Sequence, residues 1–313
     1  MDEFVAALGA KGVLSPEAAR RVAELDDRSH LPLAREIHAL LYLGAALILA
    51  GVGATVKDRL DQIGPMTILT AVGMAAAACF AYCFRSAAPF APGKAESPTA
   101  AFDYVLYLGC GLVGIFFSYL EWKWKLLGSW WDLYLFGSGL LFVALSYRFD
   151  NRLVLATGLL NLASWLGFRT GAWHLFGSSG AKPALIAYGA ALAAVGFAAA
   201  KSELKPHFEG TYRTLGVHLA LATLLTDATR FSRPQYWILA VACAALGARS
   251  MSERRFDTFA AAVGYAYLAS LASVINLTGT KGADESLWIM LFSAGGVIAV
   301  LLWARARFKE TAA

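Results

Sequence analysis

Charged residues are scarce in this sequence. Only 16% of its 313 residues are Asp, Glu, Lys or Arg, whereas 58% are hydrophobic and the mean hydropathy is +0.55. A soluble domain is about a quarter charged and roughly 45–50% apolar. The composition therefore excludes an ordinary soluble enzyme and a disordered chain. Apolar stretches long enough to cross a bilayer recur between residues 37 and 306, so the sequence predicts an integral membrane protein.

The sequence also lacks the common catalytic and cofactor motifs. It has no Walker A loop, no His-Glu-x-x-His zinc helix and no Gly-x-Ser-x-Gly elbow. Its four cysteines lie inside apolar segments without the spacing of a disulfide framework or a metal site. No run of Lys and Arg is dense enough for a nucleic-acid groove. We therefore predict no cofactor, no metal and no nucleic-acid partner. Our first expectation is that the protein is not an enzyme, because the missing motifs count against nucleotide-driven and zinc-hydrolase mechanisms.

The apolar segments predict an all-α, polytopic membrane protein. A helix needs roughly 20 apolar residues to cross a bilayer, with 17–25 usual. By this rule about ten transmembrane helices are expected. They cover residues 37–56, 63–84, 102–120, 131–147, 153–168, 183–200, 212–229, 235–248, 256–275 and 287–306.

The distribution of basic residues predicts an orientation for these helices. With ten spans, about two thirds of the 27 Lys and Arg residues fall on the side of the N-terminus. Because basic loops stay in the cytoplasm, both termini are predicted to be cytoplasmic. The predicted organisation is a cytoplasmic segment over residues 1–36, a membrane bundle over 37–306 and a cytoplasmic tail over 307–313. Membrane lipids are the expected partners of such a bundle.

The N-terminal segment, residues 1–36, is rich in charge and predicts two short amphipathic helices. Ser15 is a candidate N-cap and Pro16 suits the first helical position. Ala18, Val22 and Leu25 then share one helical face. This face either packs against the bundle or binds a protein partner.

Tryptophan is concentrated on one predicted side of the membrane. An indole ring anchors a helix at the interface because it is part apolar and part hydrogen-bond donor. Anchoring is the first interpretation of this belt, and an outer-leaflet site for a sugar, lipid or peptide is the second. Glu121 and Asp132 flank the densest part of the belt. The predicted outer residues are Trp122, Trp124, Trp130, Trp131, Trp165, Trp173, Trp237 and Trp288, and only Trp303 falls on the inner side.

A weak internal repeat places a glycine a few residues into alternate apolar segments. The four positions are Gly109, Gly158, Gly216 and Gly264. Repeated two-helix units are one explanation of this pattern. Close helix packing is another, because glycine lets two backbones approach within a membrane.

Polar residues inside the predicted spans are the first candidates for a functional site. His218 lies near the middle of the seventh span, and Asn161 lies in the fifth. An ionisable side chain at this depth is costly and suggests a proton- or substrate-binding role. The alternative is a structural hydrogen bond between helices, which His, Asn and Ser often form in membranes. Ser164 is a further residue of this structural kind.

A second group of candidates lies in the loops on the predicted outer side. If alternate loops cluster there, carboxylates beside a histidine would suit cation or proton binding. Separate solvated charges are the alternative. The members of the group are Glu121, Asp132, His174, Asp227 and Arg230.

The N-terminal quarter of the chain resembles a known family. Residues 11–19 read Lys-Gly-Val-Leu-Ser-Pro-Glu-Ala-Ala, and a glycine-studded apolar run follows over residues 43–53. This pattern, over about residues 8–80, resembles the predicted bacterial membrane proteins of domain-of-unknown-function family 2157. The short polar turn after the first span often contains Asn-Trp in that family, whereas residues 57–61 here read Lys-Asp-Arg-Leu-Asp. The resemblance implies a multi-pass protein of the bacterial inner membrane and no established activity.

Three functional hypotheses follow from the sequence. The first is transport of a small molecule, ion or lipid, with His218 in a polar path at mid-membrane depth. The alternative is a non-catalytic scaffold or sensor that binds a partner through residues 1–36 or the Trp-rich outer face. The third is a membrane enzyme, which would need Glu121 and Asp132 to meet His174 or Asp227.

Overall fold

The computed structural model describes residues 33–58, 64–95, 98–99, 101–170, 182–200, 204–278 and 283–310. The helices predicted within residues 1–32 lie outside this part of the chain, as do Trp173 and His174. The helices group into two compact units, Met1–Gly64 and Pro65–Ala313. The described helix of the first unit is Leu33–Asp58, and all the other described helices belong to the second unit.

The described residues form ten α-helices and no β-strand, which confirms the predicted all-α class. Two short 3₁₀ turns, Gly128–Trp130 and Pro206–Phe208, interrupt the connections. Each helix overlaps one of the ten predicted segments. The helices are α1 (Leu33–Asp58), α2 (Pro65–Ser86), α3 (Phe102–Trp124), α4 (Leu133–Phe149), α5 (Arg152–Thr170), α6 (Lys182–Ala199), α7 (Glu209–Leu225), α8 (Pro234–Ser252), α9 (Phe256–Thr278) and α10 (Ala283–Glu310).

Four of the described helices are long and apolar enough to cross a membrane by length and composition. They are α2, α3, α6 and α9. Helix α1 contributes a shorter apolar stretch, Leu40–Val52. The chain is thus a helical membrane protein. That the other described helices also cross the membrane remains a prediction.

The second unit is built from consecutive helical hairpins. Helices α2 and α3, α4 and α5, α6 and α7, and α8 and α9 make the most extensive contacts, and α10 packs against α9. Glycines allow the closest approaches. A Cβ on Gly216 would lie 2.5 Å from the carbonyl oxygen of Gly189, and one on Gly158 would lie 3.0 Å from that of Gly139. A Cβ on Gly109 would lie 3.0 Å from the Cβ of Cys79.

Two of the hairpins are joined by the same turn. In α4–α5 the amide of Asn151 donates to Ser146 O at 3.2 Å, and Asp150 is left-handed with φ 59°. In α8–α9 the amide of Arg255 donates to Ser250 O at 2.8 Å, and Arg254 is left-handed with φ 55°. This six-residue bond around a left-handed residue is the Schellman ending of a helix.

The turn serines establish the register of the repeat. The hydroxyl of Ser146 donates to Val143 O at 2.7 Å, and that of Ser250 donates to Gly247 O at 2.8 Å. When the two hairpins are aligned on Ser146 and Ser250, Gly158 in α5 corresponds to Ala262 in α9, which is buried. Gly264 lies two residues farther along, where a Cβ would meet no atom within 4 Å. The fourth glycine of the predicted repeat is therefore out of register with the turn that α4–α5 and α8–α9 share.

Candidate functional site

His218 lies on an exposed face of α7, near the middle of the helix. Its Nδ1 is 3.2 Å from the hydroxyl of Tyr265 on α9, and that hydroxyl also donates to His218 O at 3.4 Å. The imidazole and phenol rings lie 5.7 Å apart. The sequence identified His218 but gave no indication that its partner would be Tyr265. The imidazole and the hydroxyl thus form a polar contact between α7 and α9 in an otherwise apolar part of the helix.

Asn161 has a structural position. Its side-chain amide donates to the hydroxyl of Ser138 at 3.0 Å, across the α4–α5 interface. The hydroxyl of Ser138 donates onward to Leu135 O at 3.3 Å. The bond lies beside the close approach of Gly139 and Gly158, which brings the two helices near enough for these short side chains to meet. This is the interhelical hydrogen bond that the sequence offered as the alternative.

Glu121 stabilises the connection that follows its own helix. Its carboxylate accepts the backbone N–H of Leu127 at 3.1 Å and that of Gly128 at 3.0 Å. Gly128 has φ +54°, a conformation that glycine adopts at little cost. Glu121 thus fixes the loop that carries Trp130 toward α4.

Asp132 is buried, with 4% of the residue exposed, and pairs with Arg169 at the end of α5. The Asp132 Oδ2 to Arg169 Nε distance is 3.2 Å. The guanidinium carbon of Arg169 lies 3.8 Å from the centre of the Trp130 ring, and Trp130 itself is 55% exposed. A cation over an indole face is attracted by the electrons of the ring. The cluster joins the ends of α4 and α5 and presents an indole to the surroundings.

Asp227 follows α7 and pairs with Lys182, the first residue of α6, at 2.6 Å. Arg233 is 4.0 Å from the same carboxylate oxygen, and Arg230 is exposed in the loop between α7 and α8. Glu121, Asp132 and Asp227 therefore have three separate sets of partners in the described contacts. His174 lies outside the described residues.

A buried cluster that the sequence analysis did not single out joins three loops. Asp150, in the α4–α5 turn, accepts hydrogen bonds from the backbone N–H of Ala95 and from Lys205 Nζ, the latter at 3.0 Å. His207 Nε2 bonds the other oxygen of the same carboxylate. Lys205 also donates from Nζ to Gly93 O at 3.0 Å. The α2–α3, α4–α5 and α6–α7 connections thus meet on one face, as alternate connections of an antiparallel bundle do.

The surroundings of Asp150 determine its pKa. Burial would raise the pKa of this carboxyl group, because it disfavours the charged form. The hydrogen bonds from Ala95, Lys205 and His207 and the charge of His207 outweigh burial and hold the pKa below its usual value. In the sequence, the turn-forming pair Asp150-Asn151 was the one feature that could have pointed to this cluster.

Two arginines near the start of α7 and in the α8–α9 turn are buried or partly buried. Arg213, with 4% of the residue exposed, donates to Glu209 at 2.7 Å in the first turns of α7. Arg255, in the α8–α9 turn, reaches the same Glu209 oxygen at 2.8 Å. These cations therefore link α7 to the α8–α9 hairpin.

A small cavity lies beside the Asp150 cluster. Arg148, Phe149, Phe102 and Lys205 contribute to its wall, together with the segment before α3. Its volume of about 20 Å³ accommodates about one water molecule. It is therefore too small for an organic solute.

Comparison with known proteins identifies a family for the N-terminal half. Residues 6–155 match the family model described as "Predicted membrane protein (DUF2157)", so the N-terminal half of the chain is similar to that family. The match confirms the resemblance seen in the sequence and extends it through α4 into the start of α5. No curated protein and no solved structure matches the chain.

Proposed function

We propose that this membrane protein, whose N-terminal half is similar to the DUF2157 family, transports a small solute or ion in a process linked to protonation of His218. The observation that carries the proposal is the position of His218: an exposed imidazole halfway along an apolar helix, hydrogen-bonded to Tyr265.

The cost of an ionisable group within a membrane supports this role. Such side chains are rare in spanning helices, and those present usually face a protein interior or a water-filled path. Imidazole is the side chain that ordinarily changes its charge near neutral pH. The hydroxyl of Tyr265 partly compensates the imidazole for lost hydration, since it is 3.2 Å from Nδ1. The pair is thus suited to accept and release a proton away from bulk water.

Proton flux into lipid vesicles tests this proposal. The full chain is reconstituted with a pH-sensitive dye inside the vesicles, and a membrane potential is imposed. We expect wild type to acidify the lumen faster than empty vesicles and His218→Gln to remove the difference. Thr214→Ala, an exposed residue one turn before His218, is the matched control and should retain the flux. Equal rates for wild type, His218→Gln and empty vesicles would contradict the proposal.

A non-catalytic scaffold or sensor is the second candidate. It is favoured by the other candidate residues, which are engaged in structural contacts: Asn161 with Ser138, Asp132 with Arg169, and Asp227 with Lys182. A scaffold predicts no flux in any of the vesicle samples. It also predicts that a chain lacking residues 1–36 still inserts in the membrane but no longer replaces the full chain in cells from which the protein has been removed.

The proposed cellular location is the bacterial inner membrane with cytoplasmic termini. Exposed residues in two connections test the orientation. A cysteine at Ser129, in the α3–α4 connection, should react with an impermeant thiol reagent added outside intact cells. A cysteine at Lys94, in the α2–α3 connection, should react only after the cells are opened. The reverse pattern would invert the proposed topology.

A further inference from the structure

The end of α5 carries an arginine that is held in a fixed orientation. Arg169 pairs through Nε with the buried carboxylate of Asp132 at 3.2 Å, and its guanidinium carbon lies 3.8 Å from the centre of the Trp130 ring. The Arg169 side chain is nevertheless 31% exposed, and its two terminal nitrogens have no hydrogen-bond partner among the residues that the structure describes. It therefore presents oriented N–H donors at the surface. We name Arg169, Asp132 and Trp130 the arginine cluster.

The arginine cluster lies at the level where α3 ends. Helix α3 is one of the four described helices that are long and apolar enough to cross a membrane. The connection after α3 is tied back to the end of that helix, because Glu121 accepts the backbone N–H groups of Leu127 and Gly128. Trp130 follows two residues later. Since the end of a spanning helix lies in the headgroup region of the bilayer, the arginine cluster lies there as well.

The end of α3 and the α3–α4 connection expose indoles and cations. The carboxylates of this region serve internal contacts, Glu121 with backbone N–H groups and Asp132 with Arg169. Indole rings concentrate in the headgroup region of a bilayer, because they are part apolar and part hydrogen-bond donor, so the exposed rings support the same depth. The exposed residues are Trp122 (61%), Trp130 (55%), Trp131 (39%), Lys123 and Lys125.

We propose that the arginine cluster binds the phosphate of a phospholipid headgroup. Charge complementarity selects this occupant: Lys123, Lys125 and Arg169 are exposed cations, and the anion that a bilayer supplies at this depth is the lipid phosphate. A planar guanidinium donates two parallel hydrogen bonds to a phosphate group. Asp132 approaches Nε, which leaves the terminal nitrogens of Arg169 for the lipid. The site does not depend on the role proposed for His218.

Lipid titration followed by native mass spectrometry tests this site. Dioctanoyl-phosphatidylglycerol is added to the delipidated full chain in detergent, and the affinity for the first bound lipid is measured. We expect Arg169→Gln to bind it roughly tenfold more weakly than wild type, the loss typical of a hydrogen bond to a charged group. Arg230→Gln removes an exposed arginine from the α7–α8 connection and is the matched control, which should bind as wild type does. Equal affinity in wild type and Arg169→Gln would overturn the proposal.

Two further probes separate the phosphate from the rest of the lipid. Dioctanoylglycerol has the same chains without the phosphate, and it should bind wild type and Arg169→Gln equally. Inorganic phosphate in excess should not displace the bound phospholipid from wild type. Weaker binding of dioctanoylglycerol by Arg169→Gln would assign the loss to the chains, and displacement by inorganic phosphate would assign the site to a free anion. Either result contradicts the proposal.

A second variant keeps the test independent of folding. Arg169→Gln alone leaves the buried carboxylate of Asp132 without its counter-charge, whereas Asp132→Asn combined with Arg169→Gln replaces the ion pair by two amides and buries no charge. The thermal unfolding temperature of this double variant should stay close to that of wild type, while its affinity for the first phospholipid should fall as in Arg169→Gln. A folded double variant that binds the phospholipid as tightly as wild type would overturn the proposal.

Discussion

The α4–α5 and α8–α9 hairpins share one turn but use it differently. In both, a serine carbonyl accepts a Schellman bond around a left-handed residue. In α4–α5 that residue is Asp150, whose side chain is 3% exposed and is held by Lys205 and His207. In α8–α9 it is Arg254, which is exposed. The backbone geometry of the turn is therefore the same in both hairpins. The side chain of the left-handed residue decides whether the turn packs against other segments or stays exposed.

The largest expected difference between the hairpins concerns these two turn residues. Asp150→Asn keeps a side chain that tolerates the left-handed conformation but leaves Lys205 buried without its counter-charge. Breaking a buried pair costs roughly 3–5 kcal/mol of unfolding free energy. Arg254→Asn, the matched change, should cost less than about 0.5 kcal/mol because the residue is exposed. Thermal and denaturant unfolding in detergent measures both, and equal losses would show that the turns are not used differently.

Glycine packing gives the next largest difference. A Cβ on Gly158 would lie 2.9 Å from the backbone nitrogen of Val143, so Gly158→Val should force α4 and α5 apart and cost about 3 kcal/mol. Gly264→Val introduces the same side chain in α9, where a Cβ meets no atom within 4 Å. We expect it to change stability by less than about 1 kcal/mol. A Gly264→Val protein as unstable as Gly158→Val would contradict the register assigned to the repeat.

Acid should weaken α4–α5 selectively. Because the folded pKa of Asp150 is lowered, its contribution to stability is complete above the usual value of 3.8 and is lost as pH falls through the folded pKa. The stability difference between wild type and Asp150→Asn should therefore shrink below about pH 4. Unfolding measured between pH 3 and pH 7 tests this. A constant difference over that range would mean that the carboxylate is not held by its buried partners.

The smallest expected effects come from the polar residues within the hairpins. Asn161→Ala removes the hydrogen bond to Ser138 and should cost about 0.6 kcal/mol, the average for such bonds between membrane helices. Tyr265 occupies the corresponding place in α9, and Tyr265→Phe should cost no more, since its hydroxyl contacts an exposed partner. Tyr265→Phe should nevertheless slow proton flux while Asn161→Ala leaves it unchanged. Parallel unfolding and flux measurements separate the two roles.

The helices could be predicted from the sequence because hydrophobic length and periodicity are local signals. All ten predicted segments overlap helices, and three of the four repeat glycines lie at close helix contacts. The exception is Gly264, because a pattern of residue types does not define the register of a turn. The Schellman bonds to Ser146 and Ser250 define it.

The candidate site was only partly predictable, because it depends on contacts between distant segments. His218 is recognisable as an ionisable residue in an apolar segment, but Tyr265 lies 47 residues away and became its partner only through packing of α7 on α9. The Asp150 cluster was missed for the same reason. Lys205 and His207 look like loop residues in the sequence, and only the fold brings them to a buried carboxylate.

Water access at position 218 is the most direct test of the central claim. His218→Cys in the full chain should react with a charged, membrane-impermeant thiol reagent, because a transport path must admit water to this depth. Leu160→Cys, a half-exposed position near the middle of α5, is the control and should react only with a lipid-soluble reagent. If the His218→Cys protein also reacts only with the lipid-soluble reagent, this position faces lipid or protein and the proposed role of His218 in transport is wrong.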